Sequence, residues 1–395
     1  MKSVEDQIVT VGNDLARTFS DVLDAIPGGP HRPQRLARSL GVNTILTSRL
    51  LKAAQQHDPM AVAHMVPGPE PLRRLLRAAE RKKVNPELIR EARAAVDRFA
   101  QLIDVEAGDR SALDAIISGW LPDARERVEL IAKQSVFRGI SQLLGTACDV
   151  QHHTAILYPS SQRKDRVDQL WISVAGGLRR VRPGLVVHYD TVHATGPMLT
   201  VAGKPVEGLD GLLLEQFCSK PLPELEVSHA DGIAQYTLSG SEVGTQSAVQ
   251  LVHATFLPGK QALYRSAGDS PRRTKMTIGI ALPSRTLIFD VLVHQSVYTG
   301  QDPNLSLYRT VGVFHRDPSQ REIDRLDVIE SIQPLGAGIA KFRAAETPAN
   351  QDMIRYVCAR REWDVDQLRG YRCRIEYPIY GAEIVIGFDL GVRPD

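Results

Sequence analysis

Residues 33–55, PQRLARSLGVNTILTSRLLKAAQ, carry two short helix signals on either side of a glycine. Pro33 suits the first turn of a helix, where its missing amide hydrogen is not needed. Gly41 closes that helix at a place where the chain must turn with positive φ. Asn43 or Thr44 then caps a second helix running through Leu50 to about Gln56. Ala37, small and midway along the first helix, lets the second cross close to it. Leu40 and Val42 flank the corner, while Leu46, Leu50 and Leu51 supply a buried face. Arg35, Arg38, Arg49 and Lys52 are left to face outward.

The flanks extend this helical reading. Ile8, Val11, Leu15, Phe19, Val22 and Ile26 recur at helical spacing across residues 4–26, and residues 27–30 (PGGP) stop that helix. Pro59 is expected to close the reader helix, leaving Met60–Val66 as a short extended piece before Pro67. Further helices are expected near residues 70–83 and 86–103, the second opened by Asn85-Pro86. Ser111 caps another, and Pro122 opens a long one reaching Leu144. Val128, Ile131, Ala132, Val136, Ile140 and Leu143 form an apolar stripe along it.

Charge is divided unevenly along the 395 residues. The net charge is +2, yet residues 32–83 alone hold eleven Lys or Arg against three acids. Such concentration is the footprint of a nucleic-acid contact, since each neutralised phosphate releases condensed counterions; a solvated helical face is the other reading. The spacing of residues 33–55 and the Ser48-Arg49-Leu50-Leu51-Lys52-Ala53 ending resemble the reader segment of helix-turn-helix transcriptional regulators. That ending is similar to those of winged-helix repressors such as the IclR and MarR families. The resemblance covers residues 4–66. It departs at Thr47, where an aliphatic residue is commoner, and at the wing, reduced to residues 60–66.

The resemblance implies double-stranded DNA as partner. Asn43, Thr44, Thr47 and Ser48, near the start of the reader helix, are the candidates for base or sugar contacts, with Arg49 next. Arg35, Arg38 and Lys52 suit phosphates. Arg73, Arg74, Arg77, Arg81, Lys82 and Lys83 either extend that surface or decorate a solvated helix. Three-helix modules of this kind also serve protein contacts alone.

From about residue 153 short runs rich in Val, Ile, Thr and Tyr alternate with Gly, Pro, Asp and Ser, the pattern of strands and hairpins. One late helix, opened by Thr347-Pro348 and closed by Gly370, interrupts them. Residues 172–196 and 278–300 each give a strand, a turn with Pro and Arg, and a strand bearing Val-His, by duplication or by chance. The triplet His188-Tyr189-Asp190, with His253 or His294 and Arg265 or Arg309, resembles the iron triad of 2-oxoglutarate oxygenases. Interior histidines of a β-core read equally well. His152 and His153, adjacent on a strand, point to opposite faces and do not readily share a site. Cys218 has no nearby base and reads as a buried thiol, and no phosphate-loop or Gly-x-Ser-x-Gly pattern occurs.

The expected architecture is α+β: a helix-turn-helix module (1–67), a helical connector or dimerisation region (68–148) and a mostly antiparallel β-rich effector or assembly domain (149–395). The composition, 43% apolar and 24% charged, is that of a globular protein. Acids interrupt the first fifteen residues, so no secretory signal is expected. Four unpatterned cysteines suit a reducing cytoplasm. The function read from these features is a bacterial-type DNA-binding regulator, acting as a homodimer and responding to a small-molecule effector or assembling partners. No cofactor, metal or membrane contact is expected. An iron oxygenase with a helical accessory domain, or a non-enzymatic assembly protein, is the alternative. The 122–144 stripe either pairs with its symmetry mate or packs on the chain's own β-region.

Overall fold

A computed structural model of the chain describes residues 3–28, 32–193, 199–206, 211–230, 233–310 and 321–393. The fold is α+β, with a helical N-terminus and a large, mostly antiparallel β-region. Two compact units divide it, Met1–Ile131 and Ala132–Asp395.

The first unit contains α1 (Val4–Asp24), α2 (Pro33–Leu40), α3 (Thr44–Ala54), α4 (Pro59–Met65), α5 (Pro69–Arg81), α6 (Pro86–Gln101) and α7 (Arg110–Ser118); α8 (Pro122–Leu144) begins in it and ends in the second. Ser3 and Asp6 cap α1 reciprocally, satisfying amides that a helix start leaves without partners. Ile8, Leu15, Phe19 and Val22 of α1 lie in one apolar cluster with Leu36, Leu50, Leu72, Leu75, Val96, Phe99 and Ile117. A boundary at residue 67 is therefore not observed: residues 68–117 supply much of the module's own core. A short helix buries only one stripe, and pooling several stripes makes a single core large enough to hold.

Residues 60–66, expected as an extended remnant of a wing, are helical. The side chain of Asp58 accepts the Met60 amide, and Pro59 occupies the first turn of α4. The proline read as the end of one helix is the start of the next, because an Asp-Pro pair is as good an opening as a closing signal.

The second unit contains β1 (Thr146–Pro159), β2 (Arg166–Arg180), β3 (Val187–His193), β4 (Leu225–Ala230), β5 (Ile233–Leu238), β6 (Val249–Ala262), β7 (Met276–Gly279), β8 (Ser284–His294), β9 (Asn304–Arg309), β10 (Ile332–Ala337), α9 (Asn350–Arg360), β11 (Leu368–Glu376) and β12 (Ala382–Gly387). A six-stranded sheet in the order β10-β11-β8-β1-β2-β6 is its centre, with β1 and β8 the parallel pair. Alternate residues of β2 enter different clusters. Leu170, Ile172 and Val174 pack with Met353, Ile354 and Val357 of α9. On the other face Trp171 packs toward the sheet β7-β12-β9, and Ala175 packs toward β3-β5-β4. Burial on both faces explains why both alternations of β2 carry apolar residues.

The late helix ends at Arg360, well before the glycine expected to stop it. Gly370 lies inside β11, where a Cβ would stand 2.6 Å from the Phe342 ring, so close packing and not a helix cap requires glycine there. The two similar stretches are not equivalent hairpins. β2 lies in the central sheet and β3 outside it, whereas β7 lies outside and β8 inside.

Candidate functional site

The corner between α2 and α3 forms as its sequence implies. Gly41 adopts φ 66° and ψ 38°, and its amide donates to the Ala37 carbonyl. The Asn43 side chain accepts the Ile45 amide at 2.7 Å, which fixes the start of α3 and commits its carbonyl oxygen to the cap. Leu50 and Ala53 turn inward, while Asn43, Thr44, Arg49 and Lys52 are exposed and Ser48 is half-buried. Arg35 and Arg38 are exposed on α2.

Thr47 does not belong to this surface. It is 0% exposed, and its hydroxyl donates to the carbonyls of Pro33 (2.8 Å) and Thr44 (3.0 Å). Its assignment as a base or sugar contact is overturned. The position is a core one, and the hydroxyl that made it look like a reader ties the start of α2 to α3.

Ion pairing sorts the cations of residues 32–83 into two groups. Arg73 binds Asp97 at 2.8 Å and Arg77 binds Glu70 at 2.8 Å. Arg35, Arg38 and Lys52 form no ion pair with any described residue. Arg49 reaches only the Val66 carbonyl, at 3.5 Å. Arg74, Arg81, Lys82 and Lys83, on or just after α5, likewise form no ion pair with any described residue, so the unneutralised charge is shared between the corner and the end of α5.

The β-region keeps its polar groups inside. His152 and His153 project to opposite faces of the central sheet and find different partners. The His152 Nε2 lies 3.0 Å from Asp290, which Arg372 grips through both carboxylate oxygens at 2.7 Å. Burial raises the Asp290 pKa, but Arg372 and His152 outweigh it and hold the carboxyl below its ordinary range. On the other face the His153 Nδ1 lies 3.0 Å from the Ser173 hydroxyl. Ser173 stands opposite His253 in the ladder, and His253 Nδ1 is 2.7 Å from the Tyr189 hydroxyl.

A polar row therefore crosses β1, β2 and β6, between the two small covering sheets. Burial, helped by His253 and His152, pushes His153 down to about 3. The other ring nitrogen of His153 is buried with no hydrogen-bond partner among the described residues, so no third group there orients this imidazole toward the Ser173 hydroxyl. Sequence reasoning missed Asp290 and Arg372. The available signal was Asp290 itself, a lone acid within LIFDVLVH (287–294), since a charge in a central strand must be paired.

The described residues form no iron triad around His188. The ladder between β3 and β5 is irregular at His188–Asp190. His188 is exposed, while Tyr189 is buried against His253. His294 lies beside Ser296 at 2.8 Å; Arg265 donates to the Asp269 carbonyl and Arg309 pairs with Asp324. The side chain of Asp190 lies outside the described residues. Among those residues, no group of three or more His, Cys, Asp or Glu could hold a metal. Cys218 is buried, its thiol pushed up first by desolvation. No helix among the described residues is long and apolar enough to cross a membrane.

No protein-family model and no curated protein matches the chain. Among solved structures it is similar to a protein from Parabacteroides distasonis that is provisionally described as a protease. The identity is 8%, over 62% of this chain and 40% of that one, with a TM-score of 0.26. A likeness of that size carries no argument about fold or activity.

Proposed function

We propose that the chain is a cytoplasmic regulator that binds double-stranded DNA through α2 and α3. The observation that carries this reading is the exposed, unpaired charge of α2 and α3. Arg35, Arg38 and Lys52 have no carboxylate to neutralise them, while Arg73 and Arg77 do. Unneutralised cations on an exposed helical corner are what phosphate contact needs. Thr44, Ser48 and the amide nitrogen of Asn43 are the remaining candidates for base edges, with Arg49 beside them. Reading a two-fold operator calls for two copies at a fixed spacing. Ile131, Val136 and Leu143 of α8 are 53%, 45% and 69% exposed, and apolar side chains open to water support self-association.

The test is a titration of the full chain against mixed-sequence duplex DNA over a salt series. Affinity is expected to fall steeply as salt rises. Absence of binding at low salt overturns the reading.

A further inference from the structure

A cleft of about 340 Å³ lies in the β-region, lined by Leu305, Ser306 and Leu307 of β9 and by Glu322, Arg325, Leu326, Asp327, Val328 and Glu330. Its volume is in the range of small-molecule sites. The lining is rich in acceptors and poor in available donors. Three carboxylates face it, and its one cation, Arg325, is paired with Glu322 at 3.2 Å. Glu330 distinguishes this cleft from an ordinary acidic surface. Its side chain is 8% exposed, one oxygen is bonded to the equally buried Lys133 of α8, and the other oxygen is buried with no hydrogen-bond partner. A buried carboxylate oxygen left without a donor costs stability until something donates to it.

β9 adds backbone acceptors. It is an edge strand of its sheet, and the Leu307 carbonyl accepts the Leu326 amide from the side away from β12. By the two-residue period of the ladder, the Leu305 carbonyl faces that same open edge.

We propose that this cleft binds a small organic cation, an alkyl ammonium whose N–H groups donate to the second oxygen of Glu330. Lys133 holds one carboxylate oxygen and the ligand takes the other. The cleft is larger than a bare ion requires, and no metal-ligating cluster of three or more His, Cys, Asp or Glu occurs among the described residues, so an organic cation fits the site better than a divalent metal. The site does not depend on the DNA-binding reading.

The test uses nucleic-acid-free full-length protein, with 1,4-diaminobutane as probe and thermal unfolding as readout. A ligand that binds only the folded chain raises Tm saturably. Glu330→Gln is expected to abolish the shift. Because that change also leaves Lys133 buried without its carboxylate, Glu322→Gln at the exposed rim is the second variant. It removes one negative charge from the cleft and is expected to weaken binding about threefold, the scale of one exposed charge interaction. The proposal is overturned if diaminobutane gives no saturable shift, if 1,4-butanediol or Mg²⁺ at matched ionic strength gives an equal one, or if Glu322→Gln binds as the wild type does. DNA is absent throughout, so failure here leaves the regulator reading standing, and the reverse holds too.

Discussion

The helical unit wears most of its ion pairs outside, Arg110–Asp114–His64 being a half-buried exception, and the β-region carries several inside. Arg17–Glu91, Arg73–Asp97 and Arg93–Glu80 are ion pairs with both partners more than a third exposed. In the β-region Asp290 is 0% exposed between His152 and Arg372, and Lys133–Glu330 is nearly as deep. The difference follows from layer geometry. A surface helix has a solvent face for most of its charges, whereas the central sheet is covered on both faces and has few such positions. Exposed pairs are screened and add little. Buried ones fix side chains in place, because breaking one leaves a charge in low dielectric.

Asp290→Asn tests this contrast most severely. It leaves the half-buried Arg372 without its carboxylate and is expected to cost about 3 kcal/mol, measured by urea unfolding. Arg93→Ala, at an exposed pair of the helical unit, is expected to shift the same midpoint within error. Equal effects would erase the contrast.

Acid should separate the regions next. The folded chain keeps His153 neutral down to about 3, against an ordinary value of 6.5. Between those values the unfolded chain takes up a proton that the folded chain refuses. Stability is therefore full above the ordinary value and declines as pH falls, by about 1.4 kcal/mol per pH unit for one such group, levelling off near the folded value. Unfolding followed from neutral pH to about pH 4 should show that slope, and His153→Phe should flatten it. A variant as acid-sensitive as the wild type would mean that His153 is not the group responsible.

On the helical side, Arg38→Ala is expected to weaken duplex binding across sequences and to lower the slope of log affinity against log salt by about one, as one lost phosphate contact does. Anisotropy titrations at several salt concentrations measure it. An unchanged slope would remove Arg38 from the interface. Ile131→Asp places a charge on a half-exposed position of α8. It is expected to convert a dimer into a folded monomer by light scattering, and a monomeric wild type at micromolar concentration would end the dimer proposal.

Thr47→Val is the smallest expected effect. The side chain is sealed inside the corner, so DNA affinity should not change. Stability should fall by about 1 kcal/mol for the lost hydroxyl bonds, read from the unfolding midpoint. A drop in affinity larger than that of Ser48→Ala would restore Thr47 to the surface.

The helical unit was legible because its signals are local. The three-and-four spacing from Ile8 to Ile26, Gly41 at the corner and Asn43 at the cap act over one or two turns and need no distant partner. The switch to strands near residue 153 was legible for the same reason, through short runs rich in Val, Ile, Thr and Tyr set between turn residues. Only the tertiary structure could place Thr47, since the same hydroxyl reads as a groove contact or a buried tie until Pro33 is set beside it. Asp58-Pro59 was ambiguous in the same way, closing one helix or opening another until α4 packed onto α1. The polar interior lies furthest from the sequence. Asp290 meets Arg372 across 82 residues and His152 across 138, and only the order β11-β8-β1 brings those three strands together. Sequence alone determines which local element each stretch prefers. The sheet decides which buried charges meet, because burial leaves each only the partners that the neighbouring strands supply.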